Sequence, residues 1–302
     1  MDLTGIRTLG LWAALATVMI WAGFLVITRF GVASSFTVEE IMILRLVPGA
    51  LVMAPFMWRL GVMPRGQSWQ RAAMLMIGAS AVFPFVMSMG LAYAPASDGG
   101  ALAPGTLPFW TALVVYFMTG EVPGSGRRVG LAIILAGAIV INLWQVFAGA
   151  EEHAWKGHVI FLAASALWAV YSVIFRQSGL SPLHGVVIGF FWGTLLVTPV
   201  LLATGNVSFS AASFSDITIM ILIQSFASGI LAMFLLGYAV QCLGATETAA
   251  FGALTPILAL LGGAFFLGEL ITPLKVVGVV MVAIGVVLAS GISSKSRPTL
   301  AP

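Results

Sequence analysis

The sequence predicts an all-α polytopic membrane protein: ten transmembrane helices in two inverted five-helix repeats around a central cavity. Three observations lead there. Of 302 residues, 60% are hydrophobic and 8% are charged, with a mean hydropathy of +1.10; a soluble domain carries roughly 25% charged residues. The charges fall between apolar runs of about 20 residues, the length a helix needs to cross a bilayer. The chain also repeats itself: IWAGFLVITRF (20–30) returns as LWAVYSVIFRQ (167–177), with Trp21 and Trp168, and likewise Arg29 and Arg176, 147 residues apart.

The apolar runs cover 9–30, 38–58, 69–92, 99–119, 128–148, 156–176, 184–204, 217–241, 247–267 and 274–291. Lipid offers no partner to backbone polar groups, and the runs lack a barrel's alternation, so each is expected to be a helix. Arg7 ahead of the first run mimics a secretory signal, but that run is too long and recurs within the chain, so a permanent span is expected. The first repeat is expected over 9–148, the second over 156–291, and 292–302 as a polar tail. The single cysteine, Cys242, excludes an internal disulfide and a cysteine-built metal site.

The repeat extends beyond the opening motif. GLAYAPASDGGALAPGTLPFWTALVVYFMTGE (90–121) aligns with GYAVQCLGATETAAFGALTPILALLGGAFFLGE (237–269), with one gap, and from Pro108 and Pro256 onward the offset is 148. Gly120-Glu121 then matches Gly268-Glu269, and Gly130 and Gly137 match Gly278 and Gly285. Each copy holds five spans, an odd number, so the second copy enters the membrane from the opposite side. Orientation follows from charge. With the N-terminus inside, the cytoplasmic segments hold nine basic residues and the other side three, Arg29, Lys156 and Lys275. Both termini are therefore expected in the cytoplasm, with the 149–156 loop outside.

The Gly-Glu after a proline-containing span, the arginine in ILRLVPG of the second span and the Trp-Ala opening each half resemble the EamA-type transporters of the drug/metabolite transporter superfamily. Within it, the length and aromatic content are similar to those of bacterial aromatic amino-acid exporters. The resemblance covers nearly all of 9–291. It implies a basket of ten helices, with the first, third, fourth, sixth, eighth and ninth around a cavity, exporting metabolites across the bacterial inner membrane. It implies neither a cofactor nor a required protein partner.

What the spans lack narrows the cargo. Asp98, Glu121, Glu247 and Glu269 sit at span ends, and Arg45, about two turns into the second span, is the exception. It has two readings: snorkelling outward or pairing with Glu39 or Glu40, or meeting a carboxylate in transit. No basic cluster faces the midplane, which disfavours phosphorylated cargo, and no acid in the first span favours a cation exchanged for protons. A neutral, zwitterionic or mostly apolar solute remains. With no midplane acid to share between proton and substrate, facilitated transport down the substrate gradient is expected.

Helical spacing selects candidate lining residues. The first span offers Trp21 and Phe24 on a face with Thr17 and Thr28. The sixth offers Trp168 and Ser172 with Ser165 and Phe175. Phe83, Phe85, Met89 and Tyr93 come from the third, and Gln224 and Ser228, with Tyr238 further on, from the eighth. Thr106 and Thr255 precede prolines. Each set mixes aromatics with hydroxyl or amide groups, which suits an apolar side chain held beside a few polar atoms, although any one aromatic equally fits packing against neighbours or lipid. Pro104, Pro108 and Pro256 are candidate hinges, Pro108 and Pro256 freeing the carbonyls of Pro104 and Gly252. Asp98 and Glu247 are candidate gates at opposite faces. The glutamates of the Gly-Glu pairs are expected to cap helix ends or to pair with bases, Glu121 with Arg127 or Arg128 and Glu269 with Lys275. His153, His158 and His184 are expected at the interface.

The expected function is secondary export of amino acids, aromatic or bulky apolar ones favoured, by alternating access. Other small neutral or amphipathic metabolites or drugs remain open as cargo. A channel or lipid scramblase would need a continuous polar stripe, and an intramembrane enzyme paired acids or a nucleophile–base pair at span depth. Neither pattern occurs. The basic balance reflects one-sided loops, not nucleic-acid binding; the partners expected are a small solute and the bilayer.

Overall fold

The computed structural model describes residues 3–148 and 153–291, with side chains over 5–141 and 153–291. Among them every regular element is helical. In chain order these are α1 Leu3–Ser34, α2 Val38–Leu60, α3 Trp69–Tyr93, α4 Ala96–Thr119, α5 Ser125–Ala148, α6 Ala154–Ser178, α7 Pro182–Ala203, α8 Phe214–Leu243, α9 Ala245–Leu267 and α10 Pro273–Ser290. Among the described residues nine of them, all but α5, are long and apolar enough to cross a membrane; α5 has 24 residues, the last of which lie beyond the described side chains. The chain is a multi-pass membrane protein. The tail 292–302, and Glu151 and Glu152 of the 149–156 loop, lie outside the described residues.

Local chemistry starts and stops these helices. Thr37 and Ser213 form capping boxes with Glu40 and Asp216, and the hydroxyls of Ser181 and Thr272 accept the N–H groups of His184 and Lys275. Each satisfies a donor that the first helical turn leaves unpaired. α4, α6, α9 and α10 end at Gly120, Gly179, Gly268 and Gly291, all with positive φ, which glycine adopts without a Cβ penalty.

Helix pairing carries the repeat into three dimensions. α1 packs on α8 and α9, as α6 packs on α3 and α4; α2 contacts α8 as α7 contacts α3; and α2–α7, α4–α9 and α5–α10 pair with their own counterparts. Exchanging the two halves leaves this set unchanged, as a pseudo-two-fold relation requires. The α5–α10 seam shows why its glycines are needed. A Cβ on Gly130 would lie 2.8 Å from the Gly285 carbonyl oxygen, and one on Gly137 2.8 Å from that of Gly278. The backbones touch there, as close-packed membrane helices require.

Several helices are irregular. Five-residue π-helical segments occupy Gly78–Val82 of α3 and Gly193–Val197 of α7, and a longer one Leu222–Leu231 of α8. α4 breaks between Leu102 and Leu107, and α9 between Phe251 and Leu254. The prolines interrupt the helices here, yet the carbonyls expected to be free are engaged. Pro104 O accepts from Leu107 N–H at 3.4 Å and Gly252 O from Thr255 N–H at 3.1 Å, because each helix tightens into turns at the break.

Because the helices cross back and forth, the bundle has two ends. The near face holds the start of α1 and the loops after α2, α4, α6 and α8; the far face holds the loops after α1, α3, α7 and α9. Thr37 Oγ1 donating to Asn206 O ties two loops of the far face together, and Trp192 Nε1 of α7 donates to Val62 O in the loop after α2.

Candidate functional site

The first polar knot is built on Arg45 of α2, 7% exposed. Nε donates to Ser80 O at 3.3 Å; Nη1 donates to Gln224 O and Ser228 Oγ, both at 2.8 Å. Ser80 and Gln224 lie in the π segments of α3 and α8. π-Helical register disturbs the i→i−4 ladder, and the planar guanidinium takes one carbonyl from each. Gln224 Nε2 donates to Thr28 Oγ1 at 2.7 Å, and the guanidinium carbon stands 5.7 Å from the Phe24 ring centre. Arg45 therefore neither snorkels nor pairs with Glu39 or Glu40. Glu40 is taken by Thr37 N–H and the Ser208 and Phe209 N–H groups, Glu39 by Asn206. Nη2 has no partner among the described residues.

A second knot lies at the far face. Asp98 receives Lys275 Nζ on Oδ1 and His158 Nε2 on Oδ2, each at 2.9 Å, with the three side chains 0%, 7% and 2% exposed. Lys275 Nζ also donates to Ser97 Oγ at 3.0 Å. Glu269 accepts from Ala96 N–H at 2.6 Å, Ser97 N–H at 3.1 Å and Ser97 Oγ at 2.7 Å. The knot ties α4 of the first half to α6, α10 and the α9–α10 loop of the second. Glu269 caps a helix end as expected, but Lys275 pairs with Asp98 instead of Glu269, and His158 is a core residue, not an interfacial one. Burial explains the choice: an acid and a base inside a membrane protein must find each other.

Aromatic rings form a ladder between α3 and α6. Ring centres of Phe83 and Trp168 are 4.7 Å apart, of Trp168 and Tyr171 5.3 Å, and of Tyr171 and Phe175 5.7 Å. Phe83 packs on the core cluster that contains Phe24, so the ladder and the Arg45 knot adjoin through it. At the α4 break, Ser165 Oγ donates to Ala103 O at 2.7 Å and Thr106 Oγ1 to Leu102 O at 2.6 Å.

The remaining expected site residues are scattered. Phe85 packs in the separate α2–α7 cluster, Met89 and Tyr93 are exposed, and Trp21 is half-buried and takes part in none of these ring contacts. Ser172 is half-buried; Thr255 is buried with an unpartnered hydroxyl, beside Pro256. Tyr238 is exposed towards the near-face end of α8. Glu247 meets Arg7 at 2.9 Å on the near face, a partly exposed pair. Glu121 is exposed and makes no ion pair with Arg127 or Arg128 among the described residues, and no group of three or more possible metal ligands occurs there.

Two five-helix halves, each with a proline-broken fourth helix ending in Gly-Glu, match a known family pattern over residues 8–143 and again over 155–291, that of the EamA-like transporter family. The chain belongs to this family. Its members are transporters, so the chain is placed among carriers of small molecules and not among enzymes. A curated relative from Streptantibioticus cattleyicolor, named "Probable terminal-alkyne amino-acid exporter", is 27% identical over 286 residues, spanning 92% of both proteins. A protein of known crystal structure superposes with a TM-score of 0.60 over 95% of this chain and 98% of its own, at 17% identity. That likeness carries the fold alone.

Proposed function

We propose that the protein is a secondary transporter of a bacterial inner membrane, with ten crossings and the near face in the cytoplasm. It exports amino acids and related metabolites by alternating access and favours aromatic or bulky apolar side chains. The observation that carries this reading is the inequality of two related ends. At the far face the first residues of α4, Ala96, Ser97 and Asp98, are buried at 0–1% exposure. At the near face the first residues of α9, Ala245 and Thr246, are exposed and Glu247 is half-buried. A pseudo-symmetric body latched at one end and open at the other is half of an alternating cycle.

The interior chemistry supports an amino-acid cargo. The ladder supplies flat apolar faces for a side chain, and Arg45 is a buried cation with no acidic partner among the described residues. A substrate carboxylate would supply the counter-charge, with Nη2 left to receive it. The 27%-identical relative is named as an amino-acid exporter, which agrees. Asp98 already has two basic partners, so it is poorly placed to carry protons, and downhill facilitated export fits better than proton-driven pumping. The test is exchange of labelled amino acids by purified protein in lipid vesicles: saturable, side-chain-selective exchange supports the reading, and unsaturable flux points to a channel or scramblase.

A further inference from the structure

The far-face latch can be read position by position. Its acid, Asp98, is the third residue of α4, and Ser97 the second. Its bases are Lys275, third in α10, and His158, fifth in α6. Its cap, Glu269, directly follows the positive-φ Gly268 that ends α9. The exchanged half carries the same chemistry at the same ordinals. Glu247 is the third residue of α9 and Thr246 the second. Arg127 is third in α5, and Glu121 directly follows the positive-φ Gly120 that ends α4; each stands 148 residues before its counterpart, Lys275 or Glu269.

Of this second set one contact is made here. Arg7 Nη2 reaches Glu247 Oε1 at 2.9 Å, so the acid of this set already meets one base. Arg127, Glu121 and Thr246 are exposed and make no side-chain contact with this group. From this we infer that Glu121, Thr246, Arg127 and Glu247 are the near-face gate. When that face shuts, Arg127 joins Glu247 as Lys275 joins Asp98. Glu121 then takes the Thr246 hydroxyl and the adjoining backbone N–H groups, as Glu269 takes those of Ser97 and Ala96.

Two features make this more than a matching of letters. Ion pairs of this kind in the far latch are fully buried, so forming one set and opening the other exchanges comparable energies, as a two-state carrier requires. The near-face set also carries the chemistry of the far latch residue for residue: Glu121 for Glu269, Glu247 for Asp98, Arg127 for Lys275 and Thr246 for Ser97.

The inference rests on the alternating-access reading, and the experiment separates the two. In a Cys242→Ser background, cysteines are placed at Glu121 and Thr246, both exposed here and so harmless to folding, and the protein is oxidised in vesicles during substrate exchange. The expected result is a disulfide that stops exchange and releases it on reduction. Alongside, Arg127→Glu should slow exchange several-fold and Glu247→Arg in the same chain should restore it. Saturable exchange with no disulfide, or with a disulfide that leaves flux intact, overturns the gate while the carrier reading stands; so does a charge swap without restoration. Unsaturable flux overturns both.

Discussion

Asp98 Oδ1 and Lys275 Nζ stand 2.9 Å apart in the interior, although one residue opens α4 and the other α10 in opposite halves of the chain. The pair is buried, and its energy depends on both members being present. Breaking a buried pair by removing one partner leaves an uncompensated charge and costs about 3–5 kcal/mol, whereas replacing both is often neutral. Lys275→Gln should therefore lower the unfolding midpoint of the detergent-purified protein clearly, and Asp98→Asn/Lys275→Gln should recover most of the loss. Equal midpoints for the single and double variants would mean that the pair contributes little.

Arg45 gives a second prediction. Wild-type protein should exchange phenylalanine well and phenylalaninamide poorly, because only the first offers a carboxylate to the guanidinium. Arg45→Gln, which can still hydrogen-bond the α3 and α8 carbonyls, should lose that preference by about tenfold, the size of one charge-assisted hydrogen bond. An unchanged preference in a well-expressed variant would leave Arg45 as a clamp on two π-helical segments and nothing more.

The ladder gives a third. Trp168→Ala removes the ring between Phe83 and Tyr171. Exchange of aromatic amino acids should fall at least several-fold while membrane insertion is kept. Undiminished exchange at equal expression would assign Trp168 to packing.

Much of this architecture is legible in the sequence, for identifiable reasons. Hydrophobic run length marks the crossings, and the structure extends them, as α1 shows by running from Leu3 to Ser34 past the apolar 9–30; helices continue into capped, polar ends where hydropathy has already fallen. The pairs Gly130/Gly137 and Gly278/Gly285 announce the α5–α10 contact because nothing larger fits. Side-chain partners are not legible in this way. Lys275 has Glu269 six residues away and still chooses Asp98, which only the folded arrangement of α4, α9 and α10 brings near. Arg45 finds its carbonyls 35 and 179 residues away, on α3 and α8, since apolar patterning sets where a span begins but not its rotation or depth. His158 looked interfacial for the same reason. The signal that could have found part of the knot is the repeat itself: Glu269 and Lys275 stand 148 residues after Glu121 and Arg127, an acid and a base at matching positions of both halves.

Energy coupling yields a fourth prediction. Vesicles loaded with equal substrate inside and out, then given a pH jump, should show no net accumulation, because of the two buried acids among the described residues Asp98 is already held by two bases and Glu40 by backbone N–H groups. Uphill movement driven by the proton gradient would contradict downhill export and make Asp98 and His158 the first residues to replace.

The central claim, that this is an alternating-access carrier of amino acids, is tested most directly by counterflow. Purified protein in vesicles preloaded with unlabelled phenylalanine, diluted into a trace of labelled phenylalanine, should accumulate label transiently above the outside concentration. The rate should saturate with substrate and be blocked by the disulfide between residues 121 and 246 in the double-cysteine variant. Uptake that only equilibrates and rises linearly with concentration, or no uptake of any amino acid across a broad labelled panel, would contradict the claim.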